Sequence, residues 1–192
     1  MYVHVFLSSY KNSLCNKIIE ILLIIVKSRG IVSGPTKTFN MPGLKISHVV
    51  IKNKKVYSEF LREFDRIGYS QQSIMGIVGT VSAYNKGENW LNEVKSYIYN
   101  NIIYIDNYLK NNLPKIKLIK PEGTYLLWLD FRDLKLSDKK INDLIMNKSK
   151  LWLDSGLIFG QSGRGFQRIN VATNRKKINI LLERLTKTFK DF

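Results

Sequence analysis

Apolar positions recur along the chain at two spacings, and glycine, proline and short polar clusters mark the joins between them. Trp90, Leu91, Val94, Ile98, Ile102, Ile105 and Leu109 follow steps of three and four residues, which is one apolar stripe along a long helix. Gly87 breaks the chain before it, and Pro114, which cannot continue a helix, ends it. Two strand-like runs follow at 116–119 and 124–130, separated by Pro121-Glu122-Gly123. In the second, Tyr125, Leu127 and Leu129 alternate with Thr124, Leu126 and Trp128, so both faces are apolar and the run predicts a strand buried on both sides. Ser137 caps a helix reaching to about Asn147. Residues 150–153 and 167–172 read as strands around the glycine-rich segment 156–165. Asn174 caps a last helix with Ile178, Leu181, Leu182, Leu185 and Phe189 turned inward. Helix, two strands, helix, two strands, helix is the order of an α/β or α+β layer domain.

The earlier part is less regular. Residues 2–7 suggest a strand, and 17–26 form an apolar run whose type periodicity cannot settle at that length. Glu20 interrupts this run, which is far shorter than the ~20 residues a membrane span needs. It also lies too far from a small-residue cleavage site for a signal peptide, so a buried element is expected. Gly34, Pro35, Pro42 and Gly43 mark 33–44 as a loop. Then come a short buried strand at 46–51 and an amphipathic helix at 56–64. Residues 70–84 mix Ile, Val, Gly and Ala, which predicts a buried helix whose small residues allow close packing. No internal repeat or low-complexity tract is present.

Composition changes this picture in one respect. The 192 residues are 44% hydrophobic and 24% charged, ordinary for globular protein and enough for one large domain or two small ones. The net charge of +16 is not ordinary and raises nucleic acid or an anionic membrane as partners. However, the lysines are scattered through 52–55, 110–120, 135–150 and 175–190, no cluster alternates arginine with aromatics, and no nucleic-acid motif occurs. A solvated basic surface is the expectation, with neither nucleic acid nor membrane as partner; a missing acidic partner segment would leave the same surplus. Cys15 is the single cysteine, which excludes a disulfide within the chain and is compatible with a reducing cytoplasm. His4 and His48 are too few and too isolated for a metal site or a catalytic triad.

Gly34-Pro35-Thr36-Lys37-Thr38 looks like a phosphate loop at first sight, but in that motif Gly, Lys and Ser/Thr are contiguous, and here Pro35 and Thr36 intervene. A lysine on a loop flanked by small hydroxyl residues suits a different chemistry, a covalent imine with an aldehyde cofactor. The amine must be held beside the carbonyl, and partial burial favours its neutral, nucleophilic form. Thr36 and Ser33 could donate hydrogen bonds to a phosphate. Most lysine-bearing loops are surface loops, so both readings stand on these residues alone. Arg168 taken alone reads equally well as an edge-strand surface residue, Trp128 and Tyr125 as core, 160–165 as a flexible hairpin and Asp130 as structural.

Longer strings carry a resemblance. Ser33-Gly34-Pro35-Thr36-Lys37-Thr38-Phe39-Asn40-Met41-Pro42-Gly43-Leu44 resembles the cofactor-lysine signature of class I/II aminotransferase-like, fold-type I enzymes that use pyridoxal 5'-phosphate. It looks most like their cystathionine β-lyase (C–S lyase) branch. Ala83-Tyr84-Asn85-Lys86-Gly87-Glu88-Asn89-Trp90-Leu91 and Pro121-Glu122-Gly123-Thr124-Tyr125-Leu126-Leu127-Trp128-Leu129-Asp130 resemble two further strings of that branch. So do Phe159-Gly160, Gly163, Gly165-Phe166 and Arg168-Ile169-Asn170-Val171-Ala172. The resemblance implies a partial fold-type I α/β chain, the C-terminal half only. Residues 1–85 would be the end of the cofactor-binding large domain, with 1–32 atypical, and 86–192 the small C-terminal α/β domain. It implies Lys37 as the Schiff-base lysine and base, Thr36 with Ser33 on the cofactor phosphate, and Arg168 on the substrate's α-carboxylate, a task its paired N–H groups suit. Lys45 stands where the wider superfamily has a phosphate-binding arginine. The family's ring-stacking aromatic, the Asn and Tyr near the ring oxygen and the Asp that pairs with the ring nitrogen would belong to the earlier half. His4-Val5-Phe6 resembles a segment just upstream of the lysine, which leaves extra residues within 20–30. The implied activity is α,β-elimination from a sulfur-containing amino acid, giving a thiol, pyruvate and ammonia, by a truncated chain. The alternatives are an aminotransferase or an inactive or partner-dependent fragment. The implied partners are a second copy, as in the family's homodimer, or a separately encoded N-terminal half.

Overall fold

A computed structural model describes residues 3–4, 31–68 and 73–192, and the chain clusters into two compact units, 1–92 and 93–192. Cys15 and the apolar run at 17–26 lie outside the described residues, as does 2–7 apart from Val3 and His4.

The first unit contains a three-stranded antiparallel sheet in the order β1-β3-β2, formed by β1 (Val3–His4), β2 (Ile31–Ser33) and β3 (His48–Val50). Val32 stands opposite Val49 and Ser33 opposite His48. Val49 is buried against Phe60 and Phe64 of α1 (Lys54–Arg66). Those two phenylalanines are one helical turn apart, share a face and stack with centroids 5.8 Å apart. Asn53 starts α1 by accepting hydrogen bonds from the N–H groups of Lys55 (2.9 Å) and Val56 (3.2 Å).

The predicted helix at 70–84 is α2 (Ile74–Lys86), capped by Ser73, whose hydroxyl accepts the Gly76 N–H at 3.3 Å. Its glycines allow the expected close packing. A Cβ added at Gly79 would lie 2.8 Å from Leu44 Cδ1, and one at Gly76 would lie 3.1 Å from Ile46 Cδ1. The helix is not buried all round, however. Ile74, Met75, Val78 and Val81 are 75%, 69%, 55% and 54% exposed, because only the glycine face meets the segment carrying Leu44 and Ile46. Among the described residues nothing packs on the opposite face.

The second unit holds most of α3 (Glu88–Asn112) and a four-stranded antiparallel sheet in the order β4-β5-β7-β6. Its strands are β4 (Lys117–Ile119), β5 (Leu126–Asp130), β6 (Asp154–Ser155) and β7 (Phe166–Asn170). One core gathers Leu127, Leu129 and Ile169 from the sheet with Ile105 and Leu109 of α3, Ile141 of α4 (Asp138–Asp143), and Ile178, Leu182, Leu185 and Phe189 of α5 (Arg175–Phe189). The helices contribute to that one face, so Leu126 and Trp128 on the other are only half-buried. This corrects the expectation of a strand buried on both sides; a one-sided antiparallel sheet needs only alternate residues in the core.

Ser137 and Asn174 cap α4 and α5 as read, accepting the N–H groups of Lys140 (3.3 Å) and Lys177 (3.0 Å). A π-helical turn, Leu144–Lys148, extends α4. The expected strand at 150–153 is absent. Lys150 takes a left-handed conformation (φ 53°) and Leu151 donates its N–H to the Ile145 carbonyl at 3.0 Å, so the segment closes the preceding helix and the ladder begins only at Asp154. A fully buried Asn101 on α3 fixes the corner between β7 and α5. Its Nδ2 donates to the carbonyls of Val171 (3.1 Å) and Thr173 (3.0 Å), and its Oδ1 accepts from Arg175 Nε (3.1 Å).

Candidate active site

β2 ends at Ser33, and the chain turns at Gly34, where a Cβ would stand 3.1 Å from the Ile46 carbonyl oxygen. A single helical turn follows. Phe39 donates its N–H to the Pro35 carbonyl (2.9 Å) and Met41 donates to that of Thr36 (2.8 Å). Asn40 between them is left-handed (φ 52°), the closure used at helix ends and one that asparagine tolerates. Lys37 projects from this turn as an exposed residue, Ser33 is exposed and Thr36 half-buried. The partial burial expected for Lys37 is therefore not supplied by the described residues of this unit. Phe39 locks the turn. Its ring meets Tyr84 edge-on at 5.7 Å and stacks on Trp90 at 6.2 Å. A Cβ at Gly87 would come within 2.6 Å of that ring and 2.4 Å of the Ala83 carbonyl oxygen. Two strings separated by 38 residues in sequence thus form one packed cluster. His48, given no role by its sequence context, is hydrogen-bonded through Nε2 to the Tyr84 hydroxyl at 3.0 Å. Lys45 ends the short turn Pro42–Leu44 in a left-handed conformation (φ 46°).

In the second unit, Arg168 lies on β7 opposite Trp128 of β5 and Asp154 of β6. Its Nε (3.1 Å) and Nη2 (2.7 Å) both donate to Asp154 Oδ2. The guanidinium carbon sits 4.4 Å from the centre of the Phe159 ring, and Trp128 meets that ring edge-on at 5.2 Å. The glycine-rich segment that aims Phe159 is two tight turns, Gly156–Phe159 and Gln161–Gly163, rather than a hairpin. Gly156 and Gly163 touch so closely that a Cβ at either would fall 2.0 Å from the other's carbonyl oxygen. Arg168 and Asp154 also line a groove of about 480 Å³ with Leu181, Thr173, Lys177 and the 86%-exposed Trp152. Asp154 carried no signal in the sequence beyond being an acid two residues before Gly156; only strand pairing brings it to Arg168.

Asp130 is structural, as expected. Its carboxylate accepts the Arg132 backbone N–H (3.0 Å), Nε (2.9 Å) and Nη2 (2.8 Å). The Arg132 hydrogen bond holds its pKa below the ordinary 3.8, against the opposing effect of burial. Among the described residues no group of His, Cys, Asp and Glu could hold a metal ion, and no helix is long and apolar enough to cross a membrane.

No protein-family model matches the chain. Relatives and solved structures do. The chain is 33% identical over 153 residues to cystathionine beta-lyase PatB of Bacillus subtilis, a match covering 80% of this chain and 40% of that protein. Cystalysin from Treponema denticola, whose structure contains pyridoxal 5'-phosphate, superposes with a TM-score of 0.80 at 31% identity over 97% of this chain and 47% of that one. The chain matches the C-terminal part of fold-type I pyridoxal-phosphate enzymes of the cystathionine β-lyase branch. A second member of the branch, MalY of Escherichia coli, is 29% identical over 149 residues, 77% of this chain and 38% of that protein. The chain thus spans about 40% of the length of the curated β-lyase relatives it matches.

Proposed function

We propose that this chain carries the lysine loop and the carboxylate clamp of a C–S β-lyase that takes sulfur-containing amino acids to a thiol, pyruvate and ammonia. The observation that supports this best is the turn at 35–41. It presents a lysine amine with the hydroxyls of Ser33 and Thr36 close by in sequence, and it is held by its own hydrogen bonds and by Phe39 against Tyr84 and Trp90. An amine and a hydroxyl donor on one fixed turn, with a second hydroxyl at the end of the strand before it, fit a phosphate-bearing aldehyde, so Lys37, Thr36 and Ser33 are the residues that would hold pyridoxal 5'-phosphate. When bound, that group supplies an electron sink that acidifies the substrate's Cα–H. Lys37 Nζ would take the α-proton as the thiolate leaves Cβ, one water would then be consumed in releasing pyruvate and ammonia, and Arg168 would hold the α-carboxylate by paired N–H groups. We place the protein in the cytoplasm, with a second copy of itself as partner in a homodimer.

The test is direct. The purified chain is mixed with pyridoxal 5'-phosphate and followed for an absorbance band that borohydride fixes onto Lys37. A band that is absent, or unchanged in Lys37→Ala, overturns the assignment of Lys37 as the attachment point. With L-cystathionine added, pyruvate and a thiol support the lyase; a sulfur-containing 2-oxo acid formed instead would show aminotransfer.

A further inference from the structure

We infer that Asp154 is a positioning residue, which occupies one edge of the Arg168 guanidinium and directs a ligand's carboxylate to the other. The inference rests on the proposed role of Arg168 as the carboxylate clamp. A guanidinium offers carboxylates two edges with parallel N–H groups: the side edge, Nε with one Nη, and the end edge, formed by the two Nη groups. Nε and Nη2 both donate to Asp154 Oδ2, so the side edge is taken, and among the described residues the end edge, Nη1 with the second N–H of Nη2, remains.

Two further contacts hold that orientation. The Phe159 ring lies 4.4 Å from the guanidinium carbon and fixes the plane, while Trp128 braces Phe159. Asp154 reaches Arg168 from the neighbouring strand in register, so its own backbone is set by the β6–β7 ladder. The arginine and aspartate side chains are 25% and 42% exposed, a degree of solvent contact at which an ion pair adds little to stability. Orientation is the larger consequence: a guanidinium that could turn would meet a carboxylate side-on or end-on, and this one can do so only end-on.

Nuclear magnetic resonance of the full-length chain, ¹⁵N-labelled, tests this without the cofactor. Propionate is the carboxylate probe and propionamide its neutral control. Arg168→Lys assigns the Arg168 Nε–H signal by removing it. In the native chain that signal is expected to stay in place during the propionate titration while the Arg168 Nη signals shift. In Asp154→Ala, and more weakly in the isosteric Asp154→Asn, the Nε–H signal should shift with propionate, the backbone amide spectrum remaining native. A native Nε–H that moves with propionate as far as it does in Asp154→Ala overturns the positioning role and leaves the clamp standing. If β7 responds equally to propionate and propionamide, and Arg168→Lys leaves that response unaltered, the clamp itself fails and the inference with it.

Discussion

At the scale of single residues, the candidate site depends on a few side chains that hold others in place. Phe39 is one: half-buried, it touches Tyr84 and Trp90 at once. Phe39→Ala should destabilise the first unit by about 2 kcal/mol, less than a fully buried phenylalanine because part of the ring is already solvated. Urea unfolding followed by Trp90 fluorescence would measure it, and the borohydride-fixed yield at Lys37 should fall in parallel. Arg132 is another. Asp130 has a folded pKa below its ordinary 3.8 because Arg132 hydrogen-bonds it. A depressed carboxylate pKa adds stability that is present above the unfolded value and disappears as pH falls through the folded one. The native chain should therefore lose melting temperature below about pH 3.8 more steeply than Arg132→Gln, and parallel curves would refute the linkage.

At the scale of elements, the two faces of α2 differ in kind. The glycine face is closed, whereas Ile74, Met75, Val78 and Val81 form an exposed apolar stripe larger than scattered surface hydrophobes. Replacing Val78 and Val81 by lysine should reduce self-association in sedimentation velocity with little change in melting temperature; an unchanged sedimentation profile would show that this face is not a contact surface in solution. β5 behaves in the opposite way. Leu127 is completely buried among the helices, and Leu127→Ala should cost about 3 kcal/mol in chemical denaturation, whereas Leu126→Ala on the half-buried face should cost roughly half as much. The order of these elements was readable because periodicity and caps are local: the stripe of α3, Ser137 and Asn174 each depend on residues within a few positions. The 150–153 segment was misread because its fate is set by a hydrogen bond back to Ile145, not by its apolar content.

At the scale of the whole molecule, two compact units carry the two halves of the proposed chemistry, Lys37 in one and Arg168 in the other. The family-like strings were visible in the sequence as strings. Their spatial grouping was not, because contact across tens of residues is no property of local pattern. By itself the sequence determined the helices of 93–192, their caps, the alternation that sets the inward residues of β5, and the two polar side chains, Lys37 and Arg168, on which the functional reading turns. The tertiary structure alone decided which face of β5 is covered, that Phe39 is clasped by Tyr84 and Trp90, that α2 leaves one face exposed, and that Asp154 takes one edge of Arg168. The physical reason is the same in each case: burial and hydrogen-bond partners depend on which distant segment arrives beside a residue, and strand pairing, not spacing along the chain, brings it there.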